Sequence, residues 1–137
     1  MIIKEKIDKQ IRKPVDIARI LQEILMTEAE LDQDKEHFWA IGFDCRMRIK
    51  YIELVSLGTL TTTLFHPRET FRLAIMKGVT SIMIAHNHPS GEMEFSDPDI
   101  ECVKKLKQAG EILGIELMDA LIISKYNYVS AKDTNII

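Results

Sequence analysis

The sequence predicts an α/β fold in which a mixed β-sheet is flanked by α-helices. Apolar, β-branched runs typical of strands alternate along the chain with segments that repeat apolar residues at helical spacing. Two early strands are separated only by a short polar break, as in a hairpin, so the sheet cannot be wholly parallel. The length of 137 residues suits a single domain with its own core.

The first half of the chain is predicted to contain an arm or edge strand, a helix and a hairpin. Residues 1–13 are charged with scattered isoleucines, and Pro14 suits the first turn of a helix over about 14–30. Its core face is spaced i, i+3, i+4, i+7 and i+8: Ile17, Ile20, Leu21, Ile24 and Leu25. The acidic residues after it are expected in a solvated helix end and loop: Glu28, Glu30, Asp32 and Asp34. Residues 36–57 read as a hairpin, and 60–65 as a β-branched third strand.

The second half is predicted to continue as helix, strand, helix and strand. Pro67 opens a helix whose expected shared face holds Phe71, Ala74, Ile75 and Val79. A buried strand over about 80–86 follows. The helix from Asp97 is expected to turn Ile100, Val103, Leu106, Ile112 and Leu113 inward, with Gly110, an unfavourable residue for a continuous helix, inside the pattern and Gly114 at its end. Residues 115–123 form a predicted strand, with which 126–129 can pair.

The composition excludes several functional classes. A net charge of −3 argues against a broadly basic nucleic-acid surface. No apolar stretch approaches the roughly 20 residues of a membrane-spanning helix, and the N-terminus lacks the apolar region of a signal peptide. Cys45 and Cys102 have no metal or redox spacing and are interpreted as free thiols in a reducing compartment. A cytoplasmic location without membrane contact is the resulting expectation.

Four polar residues lie at and after the end of the buried strand, at a spacing that can bring metal-binding side chains together. His86 and His88 stand one residue apart, and side chains at i and i+2 of a strand share a face. A turn containing Pro89 and Gly91 then leads to Ser96 and Asp99 at the start of the next helix. Two imidazoles and a carboxylate are three ligands, the number that catalytic zinc sites use when the fourth position is left to water.

Each part of this pattern also has a structural explanation. A His-x-His pair on a strand is often only two polar side chains. Ser96 and Asp99 fit a helix capping box, with Ser96 as N-cap and Asp99 at N3. The two explanations are compatible, because a cap would fix the direction in which the Asp99 carboxylate points.

His86-x-His88, seven residues and then Ser96-x-x-Asp99 resembles the JAMM metalloprotease signature of the JAB/MPN (cytidine-deaminase-like) fold. The longer string His86-Asn87-His88-Pro89-Ser90-Gly91 resembles the RadC-like branch of that superfamily. The likeness extends over roughly the last three-quarters of the chain, through residues 58–60, 66–69 and 113–119. The resemblance implies a zinc hydrolase that cleaves an amide bond in a peptide or protein.

The resemblance also assigns roles to individual residues. It implies that His86, His88 and Asp99 bind one Zn²⁺ and that Ser96 donates to an oxyanion. Glu36 holds the place of the family's general acid/base, just before an early strand, although without the resemblance it would read as a solvated loop residue. Glu69 and Glu53 are rivals for that role. Glu69 is expected to face solvent or cap its helix, and Glu53 to alternate outward on its strand.

Some positions fall outside the proposed chemistry or depart from the family pattern. Asn87 is expected on the opposite face from the histidines, as loop architecture, and His37 and His66 as structural or surface residues. Ala120 follows Asp119 where the RadC-like pattern has a histidine, so any support from that side chain is missing or supplied otherwise. Residues 1–137 are expected to form one RadC-like JAB/MPN domain, with 1–13 as an arm and no separate helix-hairpin-helix domain.

Two other functions remain open at this stage. One is the nucleic-acid-associated, DNA-repair module that the family's historical label suggests, although the chain shows no basic stripe or interleaved aromatic platform. The other is a catalytically silent interaction domain that keeps the fold without the chemistry.

Overall fold

The computed structural model describes residues 1–58 and 66–137, except for the side chains of Lys6, Asp8 and Lys9. The strands in it are β1 (Ile2–Gln10), β2 (Glu36–Phe43), β3 (Arg48–Gly58), β4 (Ser81–Asn87), β5 (Glu116–Ile123) and β6 (Tyr128–Ser130). The helices are α1 (Pro14–Met26), α2 (Glu30–Gln33), α3 (Pro67–Lys77) and α4 (Asp97–Leu113). The strand predicted over 60–65 lies outside the described residues. None of the helices in the described ranges is long and apolar enough to cross a bilayer.

The described strands form one mixed sheet in the order β1-β3-β2-β4-β5-β6. The β4–β5 pair is parallel, and the other neighbours are antiparallel. The 36–57 hairpin is therefore confirmed as β2 and β3, and residues 1–13 contribute an edge strand. Strand β4 is paired on both edges and helices cover both faces of the sheet, so every residue of β4 is buried.

Helices cover both faces of the sheet, and each strand divides its side chains between two cores. On one face, here called the α1 face, the apolar side of α1 packs against Trp39, Met83 and Ala85. On the other, the α4 face, Phe71 of α3 and Val103 and Leu106 of α4 join a second cluster. That second cluster takes its strand residues from alternate positions: Phe38, Ile82, Ile84 and Ala120. The predicted α/β architecture with a mixed sheet is confirmed.

Helix α1 is shorter than predicted and ends at Met26 rather than near residue 30. Thr27 adopts the C-cap position, and its hydroxyl donates to the Ile24 carbonyl at 2.7 Å. The acidic stretch is not simply loop, because residues 30–33 form the short helix α2. Glu28 is half-buried instead of solvated, and its carboxylate contacts the ring of His37 at 2.5 Å.

Several apolar residues predicted to face the core are exposed. Ile75 of α3 is 57% exposed, while Thr70 and Leu73 are buried beside Phe71 and Ala74. On α4, Ile112 is 87% and Leu113 46% exposed, although Val103 and Leu106 are buried as expected. The buried line of α4 continues from Leu106 to Gly110, and Ile112 lies about two-thirds of a turn away from Leu106 around the helix. Hydrophobicity alone did not identify the inward face.

Two glycines shape the end of α4. The helix runs unbroken through Gly110, where an added Cβ would lie 2.3 Å from the Ile115 carbonyl oxygen. The missing side chain thus lets the chain entering β5 pass close to the helix. Gly114 takes the C-cap position with φ 73°, which confirms the predicted stop.

Candidate metal centre

The two histidines lie where β4 leaves the sheet. His86 is 5% exposed and shares the α4 face with Ile82 and Ile84. The His88 N–H donates to the Ile123 carbonyl of β5 at 3.1 Å, so the backbone stays extended for one more residue. Both rings consequently point to one side, and their Nε2 atoms lie 2.9 Å apart. This confirms the shared face that the i, i+2 spacing predicts.

The loop after β4 fixes the His88 ring. Gly91, with φ 85°, turns the chain as its position predicts, and its N–H donates to the His88 carbonyl at 2.9 Å. The His88 Nδ1 lies 2.8 Å from the carbonyl oxygen of Glu92. Because a carbonyl can only accept, Nδ1 carries the hydrogen in this contact. In the neutral ring, Nε2 then presents its lone pair toward His86, as in metal-binding histidines oriented by a backbone carbonyl.

The start of α4 brings in the carboxylate. Ser96 is the N-cap: its Oγ accepts from the Asp99 N–H at 3.1 Å, and the Ser96 N–H donates to Asp99 Oδ2 at 3.0 Å. The capping box predicted from sequence is confirmed. The same Oδ2 lies 3.5 Å from Nε2 of His86 and 3.5 Å from Nε2 of His88. The cap therefore aims the carboxylate at the two rings.

The three ligand atoms fit a tetrahedral divalent metal. Zinc bound at about 2.0–2.1 Å to nitrogen or oxygen has ligand atoms about 3.3 Å apart in a tetrahedron. The separations of 2.9, 3.5 and 3.5 Å bracket that value. Among the described residues, this is the group of His, Cys, Asp or Glu side chains that could hold a metal ion. Two imidazoles and one carboxylate are a donor set that suits zinc.

His88 and Asp99 shift each other's pKa in opposite directions, each favouring the charged form of the other. The hydrogen bond with Asp99 raises the pKa of His88 above its ordinary value, although burial works against it, and the Glu92 carbonyl and the Glu36 charge add to the rise. Burial alone would raise the pKa of Asp99, but hydrogen bonds from His86 and His88 outweigh it and hold that pKa well below its usual range. Asp99 therefore stays ionised, and the centre attracts cations.

Glu36 begins β2 on the same face of the sheet. It precedes Phe38 by two residues, and Phe38 packs in the α4-face cluster. Phe38 pairs with His86 in the antiparallel register of β2 and β4. Continuing that register by two residues sets Glu36 opposite His88, in agreement with its effect on the pKa of His88. The structure thus brings the predicted base and the predicted ligands to the same end of the sheet.

Comparison with known proteins agrees with this geometry. Residues 11–136 match the profile of a protein family described as the RadC-like JAB domain. The chain belongs to this family. Its relatives include UPF0758 proteins of Syntrophomonas wolfei, 37% identical over 127 residues, of Clostridium novyi, 41% identical over 127 residues, and of Desulforudis audaxviator, 42% identical over 99 residues.

These alignments cover most of the chain but only part of each relative. They include 93%, 93% and 72% of this chain, and 54%, 54% and 43% of the respective relatives. The chain therefore spans about half the length of the curated relatives it matches. The names of these relatives state no activity.

The rivals of Glu36 occupy different environments in this RadC-like JAB domain. Glu69 lies at the exposed start of α3, where its carboxylate is 3.8 Å from the Arg72 guanidinium, as its position predicts. The prediction for Glu53 is wrong: it is 4% exposed, with Oε2 4.0 Å from Arg72 and 3.9 Å from the N-terminal amine. Glu53 lies two residues after buried Tyr51, whose side chain belongs to the α4-face cluster, so it too turns toward the helices.

Among the residues that the structure describes, the others considered in the sequence analysis do not contribute side chains to the group formed by His86, His88 and Asp99. Asn87 and His37 are buried, whereas His66 is exposed at the start of α3. Asp119 is buried and accepts hydrogen bonds from the Ser130 hydroxyl at 2.5 Å and the Lys132 N–H at 3.0 Å, which ties the chain after β6 to β5. Ala120, at the position of the family histidine, is 1% exposed within the apolar α4-face cluster.

Sequence reasoning missed one set of contacts in this RadC-like JAB domain. His37 and Asn87 lie on the α1 face, on the opposite side of the sheet from His86, His88 and Asp99, and hydrogen-bond to the backbone around Glu36. The available signal was indirect. Asn87 alternates with the two histidines and so had to face the other side of the sheet, but its partners lie about 50 residues away in the chain.

Proposed function

We propose that this domain is a zinc-dependent hydrolase of the JAMM type that cleaves an amide bond in a peptide or protein substrate. The observation that carries the proposal is the convergence of His86 Nε2, His88 Nε2 and Asp99 Oδ2, with Glu36 on the same face of the sheet. Membership in the RadC-like JAB domain family supports it.

The metal would supply two things when bound: a water whose pKa is lowered to about 7 and polarisation of the substrate carbonyl. His86, His88 and Asp99 would hold it. The His88 ring is already oriented by the Glu92 carbonyl, and the Asp99 carboxylate by the Ser96 N–H. These contacts reduce the reorganisation needed to complete the site.

The proton steps would belong to Glu36. Its carboxylate would accept a proton from the attacking water and deliver it to the amine as the amide bond breaks, so the proton count balances. Ser96 is exposed, and its Oγ already accepts from the Asp99 N–H, which leaves its own hydrogen to donate to the developing oxyanion. The substrate would approach from the solvent side of the α4 N-terminus.

Metal content and peptide cleavage together test the proposal. Wild type purified with zinc is expected to hold about one equivalent by elemental analysis, and His86→Ala and Asp99→Asn to lose it. Asp97→Asn is the matched control, because Asp97 is an exposed acid in the same helical turn. A folded wild type that takes up no divalent metal would overturn the proposal and favour a silent interaction domain.

The base is tested separately with a pool of internally quenched peptides and an isopeptide-linked substrate. Glu36→Gln is expected to keep its zinc and fold and to lose cleavage by roughly 100- to 10,000-fold. Glu69→Gln and Glu53→Gln are expected to retain activity. Zinc-loaded protein whose cleavage is unaffected by Glu36→Gln would contradict the assignment, and salt-sensitive DNA binding without cleavage would favour the nucleic-acid alternative.

A further inference from the structure

The side chain of Asn87 bonds to both peptide groups that flank Glu36. Its Oδ1 accepts from the His37 N–H at 2.6 Å, and its Nδ2 donates to the Lys35 carbonyl at 3.0 Å. An N–H can only donate and a carbonyl can only accept, so one orientation of the amide satisfies both contacts. A single side chain thus holds the backbone immediately before and immediately after Glu36.

The geometry of the strand explains why a side chain is needed there. The carbonyl before a strand residue and the N–H after it point to the same neighbouring strand, here β4. The paired register of β2 and β4 stops at Phe38 and His86, and the N–H of His88 points the other way, to the Ile123 carbonyl of β5. Pro89 has no N–H to offer. The Asn87 amide takes the place of the missing backbone partner.

His37 adds a second bond to the same carbonyl. Its Nδ1 lies 2.8 Å from the Lys35 oxygen and must donate to it, while Nε2 lies 2.5 Å from the Glu28 carboxylate. The ring is fully buried and stacks on Trp39 with 5.0 Å between ring centroids. Two donors therefore occupy the Lys35 carbonyl, which fills its hydrogen-bonding capacity.

We infer that Asn87 is a positioning residue that fixes Glu36 from behind the sheet, with His37 and Glu28 as its support. The catalytic consequence rests on the proposed function, whereas the backbone contact does not. Asn87 is 2% exposed and lies on the opposite face from the rings of His86 and His88, so it acts through the main chain rather than on substrate or metal. Removing it frees a stretch whose misplacement by about 1 Å can cost roughly 100-fold in rate.

Asn87→Ala and Gln22→Ala form a matched pair. Gln22 is also a buried amide on the α1 face, 7% exposed, and its Nε2 donates to the carbonyls of Ser124 and Asn127 at 3.0 and 3.2 Å. Both substitutions remove an amide that bonds two main-chain groups, but only Asn87 bonds those beside Glu36. A merely structural effect should be similar in the two variants.

The deciding measurement is amide hydrogen exchange at His37, followed by NMR in the metal-free protein. Asn87→Ala is expected to lower the protection of that amide roughly tenfold, the weight of about one hydrogen bond, with little change at Ile41 on the same strand. Gln22→Ala is expected to leave it unchanged. Equal His37 protection in wild type and Asn87→Ala would overturn the inference, whatever the domain's activity.

Kinetics then test the catalytic consequence. Zinc-loaded Asn87→Ala is expected to keep its metal and KM and to lose about 100-fold in kcat, while Gln22→Ala stays within about threefold. In a Glu36→Gln background, Asn87→Ala should have little further effect, because both act through one carboxylate. If the fold-losses in kcat of the two single variants multiply in the double variant, the two residues act independently and the positioning role is contradicted.

Failure of the inference about Asn87 can be distinguished from a folding defect and from failure of the proposed function. If Asn87→Ala fails to fold, Asn87→Asp keeps an acceptor for the His37 N–H but replaces the donor to the Lys35 carbonyl with a second oxygen, so it should retain His37 protection and lose part of kcat. If wild type loaded with zinc cleaves nothing, the proposed function fails. The exchange at His37 then still decides whether Asn87 holds the backbone beside Glu36.

Discussion

His86 and Asn87 are consecutive residues of β4, and they act on opposite faces of the sheet. The His86 ring turns to the α4 face, where it meets His88 and Asp99. The Asn87 amide turns to the α1 face and bonds the backbone on both sides of Glu36. The end of β4 therefore supplies ligands of the candidate metal centre on the α4 face and hydrogen bonds that hold the backbone of the candidate base on the α1 face.

Zinc affinity is expected to rise with pH across the neutral range. Zinc must displace the proton of His88, whose pKa in the metal-free protein is raised above 6.5 by the hydrogen bond to Asp99. Below that raised pKa, affinity should fall about tenfold per pH unit for the one proton displaced, and above it affinity should level off. Chelator-competition titrations from pH 5.5 to 8.5 would measure this.

The stability of the metal-free protein should respond in the opposite sense. A histidine with a raised folded pKa contributes stability that is present below its ordinary pKa and is lost as pH rises through the raised value. Asp99, with its lowered pKa, contributes stability that is lost only in acid. Asp99→Asn should shift the midpoint of the pH profile downward, whereas His66→Ala should not. A midpoint at or below 6.5 in wild type would contradict the prediction.

Substitutions of Ser96 should distinguish its role as a helix cap from its proposed role in catalysis. Ser96→Ala removes the N-cap and should cost about 1 kcal/mol of the free energy of unfolding, whereas Ser96→Gly should cost only about a few tenths. If the hydroxyl donates to an oxyanion, both variants should lose cleavage by roughly 100-fold or more, and Ser96→Thr should recover much of it. Denaturant melts and peptide cleavage measure the two effects. Activity in Ser96→Gly near the wild-type level would rule out the oxyanion role.

Gly110→Ala should destabilise the domain although the substitution favours a helix. Intrinsic propensity alone would stabilise by about 1 kcal/mol. An added Cβ, however, would lie 2.3 Å from the Ile115 carbonyl oxygen and 3.3 Å from the Phe71 ring, and the backbone atom cannot easily give way. We expect a net loss of about 1–3 kcal/mol in urea unfolding. Gln108→Ala, at an exposed position of α4, should change little, and a more stable Gly110→Ala would refute the close approach.

Glu53→Gln should stabilise the domain at neutral pH. Burial raises the pKa of Glu53 above 4.5, although the N-terminal amine and Arg72 oppose the rise. The folded protein then holds this proton more tightly than the unfolded chain, so stability falls as pH rises from the ordinary to the raised pKa and stays lower above it. We expect the variant to gain stability at pH 7 and the gain to shrink toward pH 4, which urea unfolding at the two pH values measures. Exposed Glu69→Gln is the control, and a loss of stability in Glu53→Gln at pH 7 would contradict the prediction.

Local patterns predicted the elements that depend on neighbouring residues. The capping box of Ser96 and Asp99, the stop at Gly114 and the turn at Gly91 were all predictable, because each involves atoms only a few residues apart. The shared side of His86 and His88 follows from the period of a strand. The end of α1 at Met26 was not predicted from the sequence, and neither was the contact that Glu28 makes beyond it with the ring of His37.

The amino-acid sequence was enough to predict the family, the alternation of strands and helices, and the polar residues at the end of β4. The three-dimensional structure was needed to learn that Glu53 is buried, that Ile112 is exposed and that Asn87 bonds the backbone beside Glu36. The difference lies in how far apart along the chain the interacting residues are. Spacing reports which side of its own element a residue takes, whereas burial and hydrogen bonding depend on elements that lie far away in the chain and come together only when the sheet assembles.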